Sequence, residues 1–251
     1  MNIDYTVFVP RGKFAASAIM HKYREVNQRS LCSLLLNQVY FSKPDDFNDP
    51  FESVKWLDDT DFSNIFLTRE IQEAGIFCLC RSSKNLAMWS YYGNGLKGFT
   101  VGYDLKRLLE TMTPIKPGEA ECTPRWRYVC EVDYLKVQEA QVNVSVLIDV
   151  GSDSKEAEWR KMFATKSVTF EHEDECRIVV PPSPDIRAPF AWSGHGLYQH
   201  DPGALREVVF GELLPEQDEL AIRRILVGRD VSFRRAKRMP LEFLVEIIDE
   251  C

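Results

Sequence analysis

The sequence predicts a single α+β domain over residues 1–251: a mixed sheet, short flanking helices and a long proline-rich loop near 181–202. Short apolar or alternating runs of strand length recur along the chain. Capped stretches of helical period lie between them. No repeat, low-complexity segment or convincing linker divides the chain, and 251 residues suffice to bury a full core.

The elements follow in order. Residues 20–25 read as a strand or a helix end. Ser30 caps a short apolar helix to Leu36, and 39–42 reads as a strand. Pro44 to Glu52 is turn-rich. Gly75 to Cys80 is a buried strand, and Ser83 or Asn85 caps a helix carrying Leu86, Met88, Trp89 and Tyr92. Residues 98–103 form a strand, after which Asp104 caps a helix through Glu110. The prolines of 111–124 mark a loop, 127–134 alternates as a strand, and Ser154 opens an amphipathic helix to Thr165. A strand lies within 169–180, another at 207–211, a helix follows Pro215, and 241–248 closes the sheet.

Composition narrows the function classes. An apolar share of 45% and an aromatic share of 12% exclude global disorder. No run of about 18 uncharged apolar residues exists, so no transmembrane helix is expected. The first residues lack the basic and apolar regions of a secretory signal. Seven cysteines, an odd number without CxxC spacing, favour a reducing, cytoplasmic setting and offer no paired zinc arms. The net charge of -7 argues against broad nucleic-acid binding and leaves room for a local basic patch.

Five constellations could carry chemistry. On a strand, Lys22 and Arg24 share one face and His21 and Tyr23 the other. Paired cations hold phosphate or pyrophosphate, although a solvated surface stretch reads the same way. In Asn48-Asp49-Pro50-Phe51-Glu52 the proline fixes a turn that could project Asp49 and Glu52 into a cleft, or serve only as an Asx turn. Met88-Trp89-Ser90-Tyr91-Tyr92 offers aromatics that stack a base or pack a core; Ser90 has no base partner in sequence. After Lys166, a strand reading of 170–178 places Glu171, Glu173, Glu175 and Arg177 on one face. Such crowded carboxylates repel unless a cation relieves them, which suits a general base, a metal cluster, a ribose anchor or a charged edge strand. Finally, seven cations between Arg223 and Arg238 could meet phosphate or a protein partner.

The order of these motifs resembles the bacterial family labelled domain of unknown function 2971. The resemblance rests on Lys22-Tyr23-Arg24, Val39-Tyr40-Phe41-Ser42-Lys43-Pro44, Phe47-Asn48-Asp49-Pro50-Phe51-Glu52 and Gly75-Ile76-Phe77-Cys78-Leu79-Cys80. It continues through Met88-Trp89-Ser90-Tyr91-Tyr92, Lys97-Gly98-Phe99, Lys166, Glu173, Glu175, Arg177 and Glu207-Val208-Val209-Phe210-Gly211. It covers about residues 20–211, leaving 212–251 as an arginine-rich extension packed on the domain. The chain departs from the family pattern at Phe170 and His172, where Trp and an aromatic are usual. The family label implies no established activity, only a bacterial, cytoplasmic protein often linked to mobile or defence gene sets.

A looser similarity is to ADP-ribosyltransferases, in motif order alone. It implies an NAD-using effector of defence or toxin systems. Glu173, Glu175, Tyr23 and Ser90 would be its catalytic residues. Lys22, Arg24, Asn48, Asp49, Glu52, Trp89, Tyr91, Lys166 and Arg177 would bind substrate, with no metal. Two alternatives stay open. One is a metal-dependent nuclease or phosphodiesterase with Mg2+ on Asp49, Glu52, Glu173 and Glu175. The other is a non-catalytic module that binds a ligand, or a protein partner through the arginine-rich tail. A small nucleotide is the expected ligand, a membrane is not expected, and nucleic acid is left undecided.

Overall fold

The computed structural model describes residues 6–8, 18–47, 49, 72–115, 126–136, 158, 161–181, 193–239 and 241–250, and its architecture is α+β. The chain opens with β1 (Thr6–Phe8) and β2 (Ile19–Arg24). Helix α1 (Gln28–Leu36) is capped by Asn27, not by Ser30. The Asn27 side chain accepts the Ser30 N–H at 2.9 Å, and Ser30 Oγ accepts the Asn27 N–H at 3.0 Å. The helix stops at Asn37, which takes the left-handed conformation at φ 52°. β3 (Gln38–Phe41) and β4 (Gly75–Cys80) follow. Asn85 caps the short α2 (Leu86–Tyr91), and Asp104 caps α3 (Leu105–Thr111) directly after β5 (Phe99–Asp104).

The expected strand at 127–134 is two strands, β7 (Trp126–Glu131) and β8 (Asp133–Leu135), preceded by the two-residue β6 (Thr113–Pro114). They separate at Val132, because β7 pairs with β10 (Glu175–Val180) and β8 with β9 (Thr165–Ser167). Of the expected helix at 154–165, positions 158 and 161–163 are described and helical. Within the expected loop at 181–202, β11 (Gly196–Gln199) is a strand paired with β3. β12 (Leu205–Gly211), α4 (Glu216–Ile225), β13 (Ser232–Met239) and β14 (Leu244–Asp249) complete the chain.

Among the described residues, nine strands form the main sheet in the order β1-β7-β10-β4-β2-β5-β12-β13-β14. The arginine-rich segment is therefore part of the sheet: β12 and β13 run parallel through the α4 crossover, and β14 lies at the edge. Several of its cations are engaged. Arg235 meets Glu219 at 2.6 Å and Glu250 at 2.5 Å, Arg234 meets Asp249 at 2.7 Å, and Arg238 meets Glu212 at 2.7 Å. No described helix is long and apolar enough to cross a membrane.

One face of the sheet buries the main core, with Phe77, Phe99, Val101, Tyr103, Ile178 and Phe210 packed among Leu34 of α1, Leu108 of α3 and Ile222 of α4. The other face holds a smaller cluster of Tyr23, Cys80, Trp89, Val209, Ala236 and Val245. A six-residue helix has too few internal bonds to stand alone, so α2 depends on this packing. Trp89 supplies it. Its side chain is fully buried, its Nε1 donates to Ser83 O at 2.8 Å, and its ring meets Tyr23 edge-on at 5.2 Å.

Gly98 lies where backbones close in, since Gly211 N–H donates to its carbonyl at 2.9 Å and an added Cβ would stand 2.2 Å from Arg24 O. Gly98→Ala is expected to cost about 1–3 kcal/mol in urea unfolding, the usual penalty for overpacking against backbone.

The sheet splits near its middle. β2 follows β5 through six register pairs and β10 follows β4 through six. Between β2 and β4, His21↔Cys80 is the one register pair among the described residues. Toward the start of β4 its free edge is met instead by Ser42, bridged to Ile76. The intervening Cys78 carbonyl would be left facing the gap. Lys22 satisfies it, donating from Nζ at 2.9 Å.

Candidate functional site

The split opens a cavity of about 280 Å³, lined by β2, β4, β10, α2 and the turn before β10. Register builds one wall. Glu175 pairs with Cys80 and Arg177 with Cys78, so the four side chains lie on one face of the sheet. Glu173 reaches the same place by another route. The strand expected through 170–178 is interrupted: 168–173 is a 3-10 turn that ends at Asp174, which sits at φ 44°. Glu171 is consequently exposed, whereas Glu173 and Glu175 are both buried. β10 is an interior strand buried along all six residues, not a charged edge.

Two carboxylates and two cations form one network. Arg177 donates to Glu175 through Nε at 2.9 Å and through its terminal nitrogen at 3.0 Å, a bidentate pair. Its third nitrogen donates to Phe163 O at 2.8 Å. Lys166 Nζ lies 2.6 Å from Glu173 and 3.7 Å from Glu175. Tyr92 donates its hydroxyl to Glu173 at 2.9 Å. Charges removed from water to this degree persist only when paired and hydrogen-bonded.

The titration of the wall follows from this packing. Burial acts to raise the Glu175 carboxyl, but Arg177, then Lys166 and a Cys78 hydrogen bond, outweigh it and hold the group down at about 2. Burial pushes the Cys78 thiol well up and Cys80 up to about 12, so both stay protonated at neutral pH. These are weak nucleophiles. Burial lowers Lys22, and burial followed by Arg234 lowers His21 to about 4, which leaves the imidazole neutral at pH 7. Burial also raises Tyr23, whose hydroxyl is occupied in donating to Ser82 O at 2.8 Å.

A second cavity of about 340 Å³ adjoins the first and shares Lys22, Tyr23, Ser42 and Tyr92 with it. Arg24 and Tyr91 line this second space.

Of the residues expected from sequence, the fold thus gathers Lys22, Tyr23, Lys166, Glu173, Glu175 and Arg177 in the first cavity and places Arg24 and Tyr91 next door. Trp89 and Ser90 belong to neither. Trp89 is the core anchor of α2, and Ser90 is exposed with its hydroxyl donating to Leu86 O at 2.9 Å. Asp49 is buried and lines neither cavity, while Asn48 and Glu52 lie outside the described residues. Sequence reasoning placed Met88 and Tyr92 only within a general aromatic constellation, without a contact to Glu173, and gave Cys78 no site role. The signal for two of them was present, since Met88 and Tyr92 are four residues apart on one helical face.

The donor set bears on the cation such a site could take. Lys166 already bridges the two glutamates, where a divalent ion would need their free oxygens. Among the described residues no group of three or more His, Cys, Asp or Glu side chains is placed to hold a metal ion.

Residues 88–178 match the family model described as protein of unknown function (DUF2971). This bears out the family resemblance, and the matched stretch runs from Met88 on α2 to Ile178 on β10, so it includes Tyr92, Lys166, Glu173, Glu175 and Arg177. No curated protein and no solved structure matches the chain.

Proposed function

We propose that this chain is a nucleotide-handling enzyme that cleaves the nicotinamide–ribose bond of NAD, in the manner of ADP-ribosyl transfer. The observation that carries this reading is Glu173: a buried carboxylate, fixed by Tyr92 and Lys166 at the wall of a cavity that continues into a cation-lined space. A carboxylate has about four lone-pair sites, so Glu173 can still accept a ribose hydroxyl and stabilise the positive charge that develops at the anomeric carbon. The C–N bond breaks with its electron pair leaving on nicotinamide. An acceptor hydroxyl then bonds to the anomeric carbon and releases its proton. With water as acceptor, NAD and water give ADP-ribose, nicotinamide and one proton. Glu175 has a different part: held bidentately by Arg177, it fixes Lys166 and the wall instead of meeting substrate.

The test is nicotinamide release from NAD by the purified chain, followed by chromatography, in the wild type and in Glu173→Gln. Release that survives in Glu173→Gln overturns the reading. Ser90→Ala is expected to leave that release unchanged and to shift unfolding free energy by less than about 0.5 kcal/mol, since the residue lies on the solvent side of α2. A loss of turnover in that variant would contradict its placement.

A further inference from the structure

We infer that the second cavity is a diphosphate-binding subsite whose cations are Lys22, Arg24 and Arg29. The reading of the ligand as part of a nucleotide rests on the function proposed above; the subsite itself rests on the cavity. Lys22 and Arg24 project from the same face of β2, two residues apart, and Arg29 enters from the first turn of α1. Among the described residues, none of the three has a carboxylate within ion-pair distance. That sets them apart from Arg223, Arg234, Arg235 and Arg238, each paired with an acid. Glu25, exposed, also lines the space; the two arginines outweigh it by one, with Lys22, whose charge burial disfavours, beside them.

Two details point to an anion. Arg24 Nε is buried without a hydrogen-bond partner, although the guanidinium also hydrogen-bonds the Tyr103 hydroxyl. The Arg29 guanidinium lies 4.1 Å over the Tyr40 ring, which holds its plane while leaving its N–H edges for a ligand. The start of α1 is not the anchor, because the Asn27–Ser30 capping box already occupies it. Side chains therefore hold the anion. Two guanidinium forks and an ammonium suit the several oxygens of a diphosphate better than one carboxylate. A volume of about 340 Å³ takes such a group with an attached nucleoside, and the 70% exposed Tyr91 ring offers a face to the base. Because Lys22 and Tyr92 belong to both cavities, a sugar attached to that diphosphate enters the first cavity on the side of Glu173.

Calorimetric titration of the full chain with ADP, AMP, adenosine and inorganic pyrophosphate tests this. ADP and pyrophosphate are expected to bind, AMP more weakly and adenosine not measurably. Arg24→Ala and Arg29→Ala should each weaken ADP about 10- to 100-fold, the range for loss of a charge-assisted contact. Arg29 is exposed, so its variant folds whatever happens to Arg24. Glu173→Gln should keep wild-type ADP affinity while losing NAD turnover. Pyrophosphate binding that depends on Arg24 and Arg29, without NAD turnover, keeps the subsite and defeats the proposed reaction. Absence of ADP and pyrophosphate binding, or ADP affinity unchanged in both arginine variants, overturns the subsite even if NAD is cleaved.

Discussion

Arg177→Met is expected to remove about 3–5 kcal/mol from the unfolding free energy measured in urea, the cost of stranding one member of a buried ion pair. Arg177 is 2% exposed, and three of its nitrogens are committed to Glu175 and to the Phe163 carbonyl. Methionine fills part of the volume but donates nothing. Glu175 would then be left with the Cys78 thiol and with Lys166 at 3.7 Å, which is itself closer to Glu173. The pH profile should change with it. In the wild type Glu175 is held at about 2, below its ordinary 4.5. A carboxyl lowered on folding contributes stability that is complete above its unfolded value and is lost as pH falls toward the folded one. That contribution fades between about 4.5 and 2 in the wild type. Without Arg177, burial is opposed only by the weaker influences and moves the folded value upward, so this part of the acid loss shrinks or reverses. Adding Glu175→Gln to Arg177→Met should recover stability, because the stranded charge is gone. A single-variant loss below about 1 kcal/mol, as for exposed pairs, would mean that water reaches the network.

This pair also shows how far the sequence could be read. The face shared by Glu175 and Arg177 follows from strand alternation, as does the division of β2 into Lys22 with Arg24 and His21 with Tyr23. Gly75–Cys80 and the Asp104 cap were legible for similarly local reasons. Glu173 came out in the right place by the wrong route. A single residue, Asp174, takes a left-handed conformation, and short polar residues do so without any pattern that alternation would register. Asn27 and Ser30 are both good caps, and only the reciprocal bonds between them decide where α1 begins. Trp89 and Ser90 line neither cavity because the face that α2 turns inward is set by Tyr23 and the Ser83 carbonyl, neither of which is near in helical period. The split between β2 and β4 was beyond reach. It depends on which strands sit side by side, and that order is a property of the whole sheet.

Glu173→Gln is expected to lower nicotinamide release by about 10²–10³-fold, the usual loss when one preorganised stabiliser of transition-state charge is removed. The amide keeps the shape and an accepting oxygen for Tyr92 or Lys166, so the cavity wall should stay in place. What it would lose in the proposed reaction is the negative charge facing the anomeric carbon. Some stability goes too, about 1.5–3 kcal/mol, because Lys166 gives up its 2.6 Å carboxylate partner in a buried setting. Circular dichroism and ADP titration separate that cost from chemistry: a folded variant that binds ADP normally and turns over slowly has lost the reacting group. Tyr92→Phe gives the graded comparison. It removes one hydrogen bond to Glu173 and leaves the charge, so it should reduce turnover by less than the glutamine variant. If Glu175→Gln abolishes release while Glu173→Gln does not, the reacting carboxylate is the one paired with Arg177. The bidentate clamp would then have to open on substrate binding, since a carboxylate held by two guanidinium donors and an ammonium has little negative potential left to offer a cationic transition state.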